Sequence, residues 1–174
     1  ERNLLNREKR VCFTGHREIR KSDRFLSITL YHIVEELILN GFTFFCSGGA
    51  RGFDTLAAQT VLQLKEKYPH IHLILILPFR NPYTQESGWK KEDVQFYLDI
   101  KEKATKTFYV QQEYKRGCYY KRDRWLVDSS WICVCYQYRN TGGTAYTTQY
   151  AQKEGIQIIN CIDTNPESFH FIKE

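Results

Sequence analysis

Three short segments carry residue types at a spacing that suits the binding of an anion. They are Thr14-Gly15-His16-Arg17, then Ser47-Gly48-Gly49-Ala50-Arg51-Gly52 with Phe53 and Asp54 behind it, and Asn140-Thr141-Gly142-Gly143-Thr144. Each follows an apolar run, and the second and third open a helical pattern. Glycine lets the backbone come close to a ligand and accepts positive φ. A helix start offers unpaired N–H groups and the positive end of its dipole. Ser47 and Thr144 add hydroxyl donors, while Arg17 and Arg51 can hold phosphate oxygens by two parallel hydrogen bonds. One such loop implies no more than a turn. Two in equivalent positions, with Thr14–Arg17 beside them, imply a phosphate pocket.

Each residue also has a plainer use. His16 has an ordinary pKa near 6.5 and suits proton transfer, yet a loop histidine equally serves as a local cap or a ligand contact. Ser47 lacks the GxSxG setting of a nucleophile and reads as a turn donor. Asp54, in the first turn of a helix, either complements the dipole or binds a sugar hydroxyl. Arg122 and Asp123, in "KRDRWLVDSS", stand near a helix start or on a solvated face. Tyr83 and Trp89 could stack on a base or form a small satellite core. Neither glycine loop ends in GK[ST] or reads GxGxxG, so a Walker A site and ordinary NAD binding are not supported and no cofactor is expected.

The elements that must position these loops alternate along the chain. Strands are expected at Arg10–Thr14, Phe42–Cys46, 71–77, Lys106–Gln112, Trp131–Gln137 and Ile156–Asn160. Helices are expected from Ser22, placed as a cap, to Gly41, then over Phe53–Lys67, Lys90–Lys103, Gly117–Ser129 and Thr144–Glu154. The run "IHLILIL" is apolar throughout, as a strand covered on both faces requires. Strands separated by helices give parallel pairing. The fold class expected is α/β, a Rossmann-like three-layer sandwich with a mostly parallel sheet of about six strands. No linker interrupts it, so residues 1–174 read as one domain. In such sheets ligands bind beyond the carboxyl ends of the strands, which directs attention to the loops after strands one, two, three and five.

The whole chain sets limits. Its 174 residues are 42% hydrophobic and 26% charged, with a net charge of +5 spread along the length. That balance tolerates an anionic partner and lacks the basic stripe of a nucleic-acid protein. No apolar run approaches a membrane span, and the polar opening "ERNLLNREKR" does not resemble a signal peptide. The absence of methionine suggests a trimmed or processed chain. The six cysteines, Cys12, Cys46, Cys118, Cys133, Cys135 and Cys161, form no CxxC set with a histidine, so no metal is expected. Five lie in strand-like runs as buried thiols, which fits a reducing cytoplasm.

The segments "VCFTGHR", "CSGGARGFDTLAAQ", "LPF" followed by Trp89, "RDRWLVD" and "NTGGTAYTTQYA" together resemble the YpsA-like proteins, also catalogued as DUF1273, over about residues 10–162. That family belongs to the SLOG superfamily, which joins the LOG and the DprA/Smf proteins. The resemblance implies a Rossmann-like fold and a pocket for a nucleotide or an ADP-ribose-like compound, in bacterial or phage settings. Carried over, the pocket would use Thr14, Gly15, His16, Arg17, Ser47, Gly48, Gly49, Arg51, Asp54, Arg122, Gly142, Gly143 and Thr144. One departure matters. LOG phosphoribohydrolases carry PGGxGTxxE, and Thr147 stands where the glutamate should be. A hydroxyl cannot serve as a carboxylate base.

The leading expectation is therefore a cytoplasmic protein that senses or sequesters a nucleotide-derived small molecule, with no catalytic residue. A nucleotide N-glycosidase, with Asp54, Asp123 or Asp128 in place of the glutamate, is the alternative. Single-stranded DNA binding of the DprA kind ranks third, nucleic acid being unlikely on charge. A homodimer through helix faces is possible, as in relatives.

Overall fold

A run such as 71–77 can bury both of its faces only in a sheet covered on both sides. The computed structural model, which describes residues 6–171, has that arrangement. The ends of the 1–174 domain reading, and the first half of "ERNLLNREKR", lie outside the described residues. In chain order the elements are β1 (Arg10–Gly15), α1 (Leu26–Leu39), β2 (Phe44–Ser47), α2 (Phe53–Lys67), β3 (His72–Leu77), α3 (Lys91–Lys103), β4 (Lys106–Tyr109), α4 (Cys118–Asp128), β5 (Ile132–Tyr136), α5 (Gly143–Lys153) and β6 (Gln157–Asn160).

The six strands form one sheet in the order β4-β3-β2-β1-β5-β6. Every neighbouring pair is parallel, so the sheet is wholly rather than mostly parallel. From β1 the chain steps outward to β4, then crosses back to place β5 on the other flank of β1. The direction of winding therefore reverses between β1 and β5, and a crevice opens there at the carboxyl ends of the strands.

Alternation along the strands splits the core into two layers. Val11, Phe13, Phe45, Leu73, Leu75 and Val134 face one side with α1, α2 and α3, joined by Phe53 and Leu64. Cys12, Cys46, Cys133 and Cys135 face the other, with Leu126 and Val127 of α4 and Ala151 of α5. These central positions are small, which lets α4 and α5 sit close to the sheet. The thiols are free. Burial pushes Cys46 and Cys135 up to about 12, so they stay protonated at neutral pH and behave as small hydrophobes.

Ser22 does not cap α1. It lies in a separate 3-10 turn, Lys21–Asp23, and α1 begins at Leu26 after Phe25. The turn is held by Asp23, which accepts from Arg20 Nε at 2.8 Å and from the Tyr136 hydroxyl. The far end is as expected. Gly41 takes φ 96°, its N–H donates to Ile38 O at 3.1 Å, and the Phe42 N–H donates to Leu37 O at 3.1 Å, which is the hydrogen-bond pattern of a glycine-terminated helix. Among the described residues no helix is long and apolar enough to cross a membrane.

Candidate functional site

The loops leaving β1, β2 and β5 meet at the reversal point and are fastened to one another. Two glycines permit this. A Cβ on Gly15 would stand 2.3 Å from the Phe53 ring, and one on Gly52, where φ is 78°, would stand 2.1 Å from the Arg17 carbonyl oxygen. The Phe53 N–H donates to His16 O at 3.2 Å. On the other side the His16 N–H donates to Tyr136 O at 3.2 Å, and the Tyr138 N–H donates to His16 Nε2 at 3.1 Å. The Tyr138 hydroxyl completes the clasp by donating to Glu18 O at 2.9 Å.

These loops enclose a cavity of about 400 Å³, with Phe13 and Leu126 on its apolar side, within the usual size range for a small-molecule site. Its wall is charged. Arg122, on α4, is buried (7% exposed); its Nε donates to Asp123 Oδ1 at 2.7 Å and its Nη1 to the Gly48 carbonyl. Burial works against the Arg122 charge, but Asp123 and Asp54 outweigh it and hold the guanidinium protonated. Asp54, in the first turn of α2, accepts from the Ala50 N–H at 3.1 Å. Burial pushes its carboxyl up to about 6, although Arg122 and the Ala50 N–H pull the other way. His16 is held below its ordinary value, first by burial and then by the charges of Arg139 and Arg20. With Nε2 accepting from an amide, it is a neutral imidazole whose proton sits on Nδ1.

Around the mouth stand three more cations. Arg17 Nη2 lies 3.4 Å from Glu86 Oε2, and Arg51 Nη1 lies 2.6 Å from Glu18 Oε1. Arg139 lies over the Tyr138 ring, 5.7 Å from its centroid. Gly143 and Thr144 present the start of α5 to the same cavity. Nothing lies within 4 Å of a Cβ built on Gly143, so the helix start is open to a ligand.

Of the candidates read from sequence, Thr14, Gly15, His16, Arg17, Arg51, Asp54, Arg122, Gly143 and Thr144 line this one cavity. Ser47, Gly48, Gly49 and Gly142 do not. Ser47 is fully buried and donates to Asp54 O at 3.3 Å. Gly48 supplies the carbonyl that Arg122 holds. A Cβ on Gly49 would strike Leu77 at 2.2 Å, and Gly142 forms the turn before α5 with φ 91°. Asp123 lines the cavity, whereas Asp128 accepts from the Tyr150 hydroxyl at 2.6 Å and stays outside it. Trp89 and Tyr83 pack with Tyr97, ring centroids 5.5–6.0 Å apart, as a satellite of the core. Glu18 and Arg139 were missed; each stands next to a recognised motif, and that adjacency was the available signal.

Thr147 is 1% exposed, and its hydroxyl donates to the Gly143 carbonyl one turn back at 2.9 Å. Where a LOG enzyme would present a carboxylate, this chain has a hydroxyl already engaged within its own helix. No group of histidine, cysteine, aspartate and glutamate among the described residues could hold a metal ion.

Comparison with known proteins agrees with this fold. The sequence model of the YspA SLOG family matches residues 12–164. A UPF0398 protein of Brevibacillus brevis is 34% identical over 109 residues, which are 61% of this chain and 56% of that protein. The SPbeta prophage-derived protein YoqJ of Bacillus subtilis is 28% identical over 137 residues, 71% of this chain and 78% of YoqJ. The chain thus spans a little over half the length of the first of these relatives. Among solved structures, DNA processing protein A (DprA) of Streptococcus pneumoniae superposes with a TM-score of 0.61 at 15% identity, over 86% of this chain and 48% of that one. The same protein of Helicobacter pylori, solved for its single-stranded DNA binding mode, gives 0.63 at 20% identity, over 91% and 67%. These two likenesses establish the Rossmann-like fold.

Proposed function

The chain belongs to the YspA SLOG family, and on that footing we propose that it binds a nucleotide-derived small molecule, of the ADP-ribose or nucleotide phosphate class, as a cytoplasmic sensor or sequestering protein. One observation carries the reading: a cavity of nucleotide size opens onto the start of α5 and is faced by Arg17, Arg51, Arg122 and Arg139. The phosphate lies on Gly143 and Thr144, where unpaired N–H groups and the helix dipole attract negative charge. Asp54 takes a sugar hydroxyl, since a carboxyl fixed by Ala50 keeps an acceptor oxygen for it. The engaged hydroxyl of Thr147 supports binding without LOG-type cleavage.

A second reading, single-stranded nucleic acid, rests on the fold shared with the Helicobacter pylori protein and its DNA-binding mode. A backbone polyanion would draw on the same arginines. The experiment that separates the two is a thermal-shift panel of ADP-ribose, AMP, NAD and a short oligonucleotide at two salt concentrations. Mononucleotide stabilisation with modest salt dependence supports the small-molecule site. Stabilisation by the oligonucleotide alone, falling steeply with salt, supports the second reading. No stabilisation by any of them contradicts both.

A further inference from the structure

The arginines that a phosphate needs are already occupied by the protein's own carboxylates. Glu18 Oε1 holds Arg51 at 2.6 Å, and Glu86 Oε2 faces Arg17 at 3.4 Å. Glu86 is more than a surface partner. Its side chain is buried (8% exposed), it accepts from Trp89 Nε1 at 2.9 Å, and it neighbours the Tyr119 hydroxyl of α4, whose pKa is pushed up by burial and then by this carboxylate. It sits in the segment 78–90 between β3 and α3, so this carboxylate fastens that loop to the rim of the cavity.

Arg51 carries a second sign of a provisional arrangement. A Cβ on Gly88, where φ is 86°, would lie 2.7 Å from Arg51 Nη2 and 3.3 Å from its Nε. The glycine backbone therefore packs directly on the guanidinium. The Nε beneath it is buried with no hydrogen-bond partner. A buried donor left unpaired is unfavourable, and a phosphate seated across the Nε edge would satisfy it. The loop has to move from Gly88 for that to happen.

We propose that Glu86 and Glu18 act as internal counter-anions which the bound phosphate displaces from Arg17 and Arg51, so that filling the site releases the 78–90 loop. This inference rests on the small-molecule reading above and adds its readout: occupancy of the cavity is reported at the surface as a freed loop bearing Trp89. The exchange is one anion for another, so the total charge near the arginines changes little while the position of the loop changes. A ligand without a phosphate cannot drive it.

The experiment follows Trp89 fluorescence and tryptic cleavage at Arg80 and Lys90 while the intact chain is titrated with ADP-ribose, AMP and NAD, with calorimetry reading binding separately. Trp89→Phe identifies its share of the emission against Trp125 and Trp131. Binding accompanied by a red shift and faster loop cleavage is expected. Glu86→Gln keeps an acceptor for Trp89 but gives up the charge. Its emission should be red-shifted before any ligand is added, and its affinity should rise about tenfold if the latched form holds about nine tenths of the molecules. Glu18→Gln, at an exposed position, should raise affinity without endangering the fold. Binding with unchanged emission and cleavage overturns the latch and leaves the binding site standing. No calorimetric binding by any of the three overturns both.

Discussion

His16 and Tyr138 join the two halves of the sheet: the Tyr138 backbone N–H donates to His16 Nε2 at 3.1 Å across the reversal point between β1 and β5. Because an amide can only donate, the imidazole must accept, and the junction needs a neutral histidine. Burial, then Arg139 and Arg20, keep the folded pKa below 6.5. As pH falls below that value the unfolded chain takes up a proton that the folded chain resists, so stability is full above about 6.5 and is lost on acidification. Urea midpoints of the natural chain and of His16→Gln, compared from pH 8 to pH 5.5, isolate this loss from the opposite contribution of Asp54, which both proteins share. In His16→Gln, whose amide oxygen can still accept from Tyr138, the loss should be smaller. Equal slopes in the two proteins would remove His16 from the account.

Asp54 contributes with the opposite sign. Its carboxyl is raised from 3.8 to about 6 by burial, against the pull of Arg122. Between those values the folded chain holds more protons than the unfolded one, so stability falls as pH rises through the window and the full penalty is present above about 6. Asp54→Asn keeps an acceptor for the Ala50 N–H. It should be more stable than the natural chain at pH 7.5 by about 3 kcal/mol, with most of the difference gone by pH 4. It should also bind the nucleotide less tightly, the exchange of stability for function expected of a strained site. Chemical denaturation at the two pH values checks the first part and calorimetry the second.

The glycines separate into two kinds, which alanine substitution should distinguish. Gly52→Ala forces a Cβ to within 2.1 Å of the Arg17 carbonyl at positive φ, and should cost about 2–4 kcal/mol. Gly143 has open space around it and no positive φ, so Gly143→Ala should leave stability within about 0.5 kcal/mol. A Gly143→Ala protein as unstable as Gly52→Ala would mean that the start of α5 is packed rather than open.

Much of this was legible in the chain itself, and the exceptions share a cause. Every strand and helix can be read from apolar period and glycine stops, because those signals are local. The beginning of α1 is not local: Asp23 is captured by Tyr136, more than a hundred residues away, and that pulls Ser22 out of the capping position. In the glycine loops sequence alone cannot tell a ligand contact from a packing need. Gly49 is demanded by Leu77 of the neighbouring strand, whereas Gly143 faces an open cavity. Both sit in the same pattern. Arg139 and Glu18 lack any period because they lie in loops, and only the fold brings them to the mouth.

The most direct test of the central claim is recovery of the ligand after binding. The chain is mixed with the nucleotide that stabilises it most, its melting temperature is recorded, and the mixture is separated by chromatography. Gly143→Asp, which places a carboxylate in the open space at the start of α5, is run in parallel. At about 100 times Kd a ligand stabilises by about 2.7 kcal/mol, or about 5–10 °C at this chain length. The account predicts that shift, an intact ligand, and neither shift nor retention with Gly143→Asp. A cleaved ligand, or an equal shift in the variant, would contradict it.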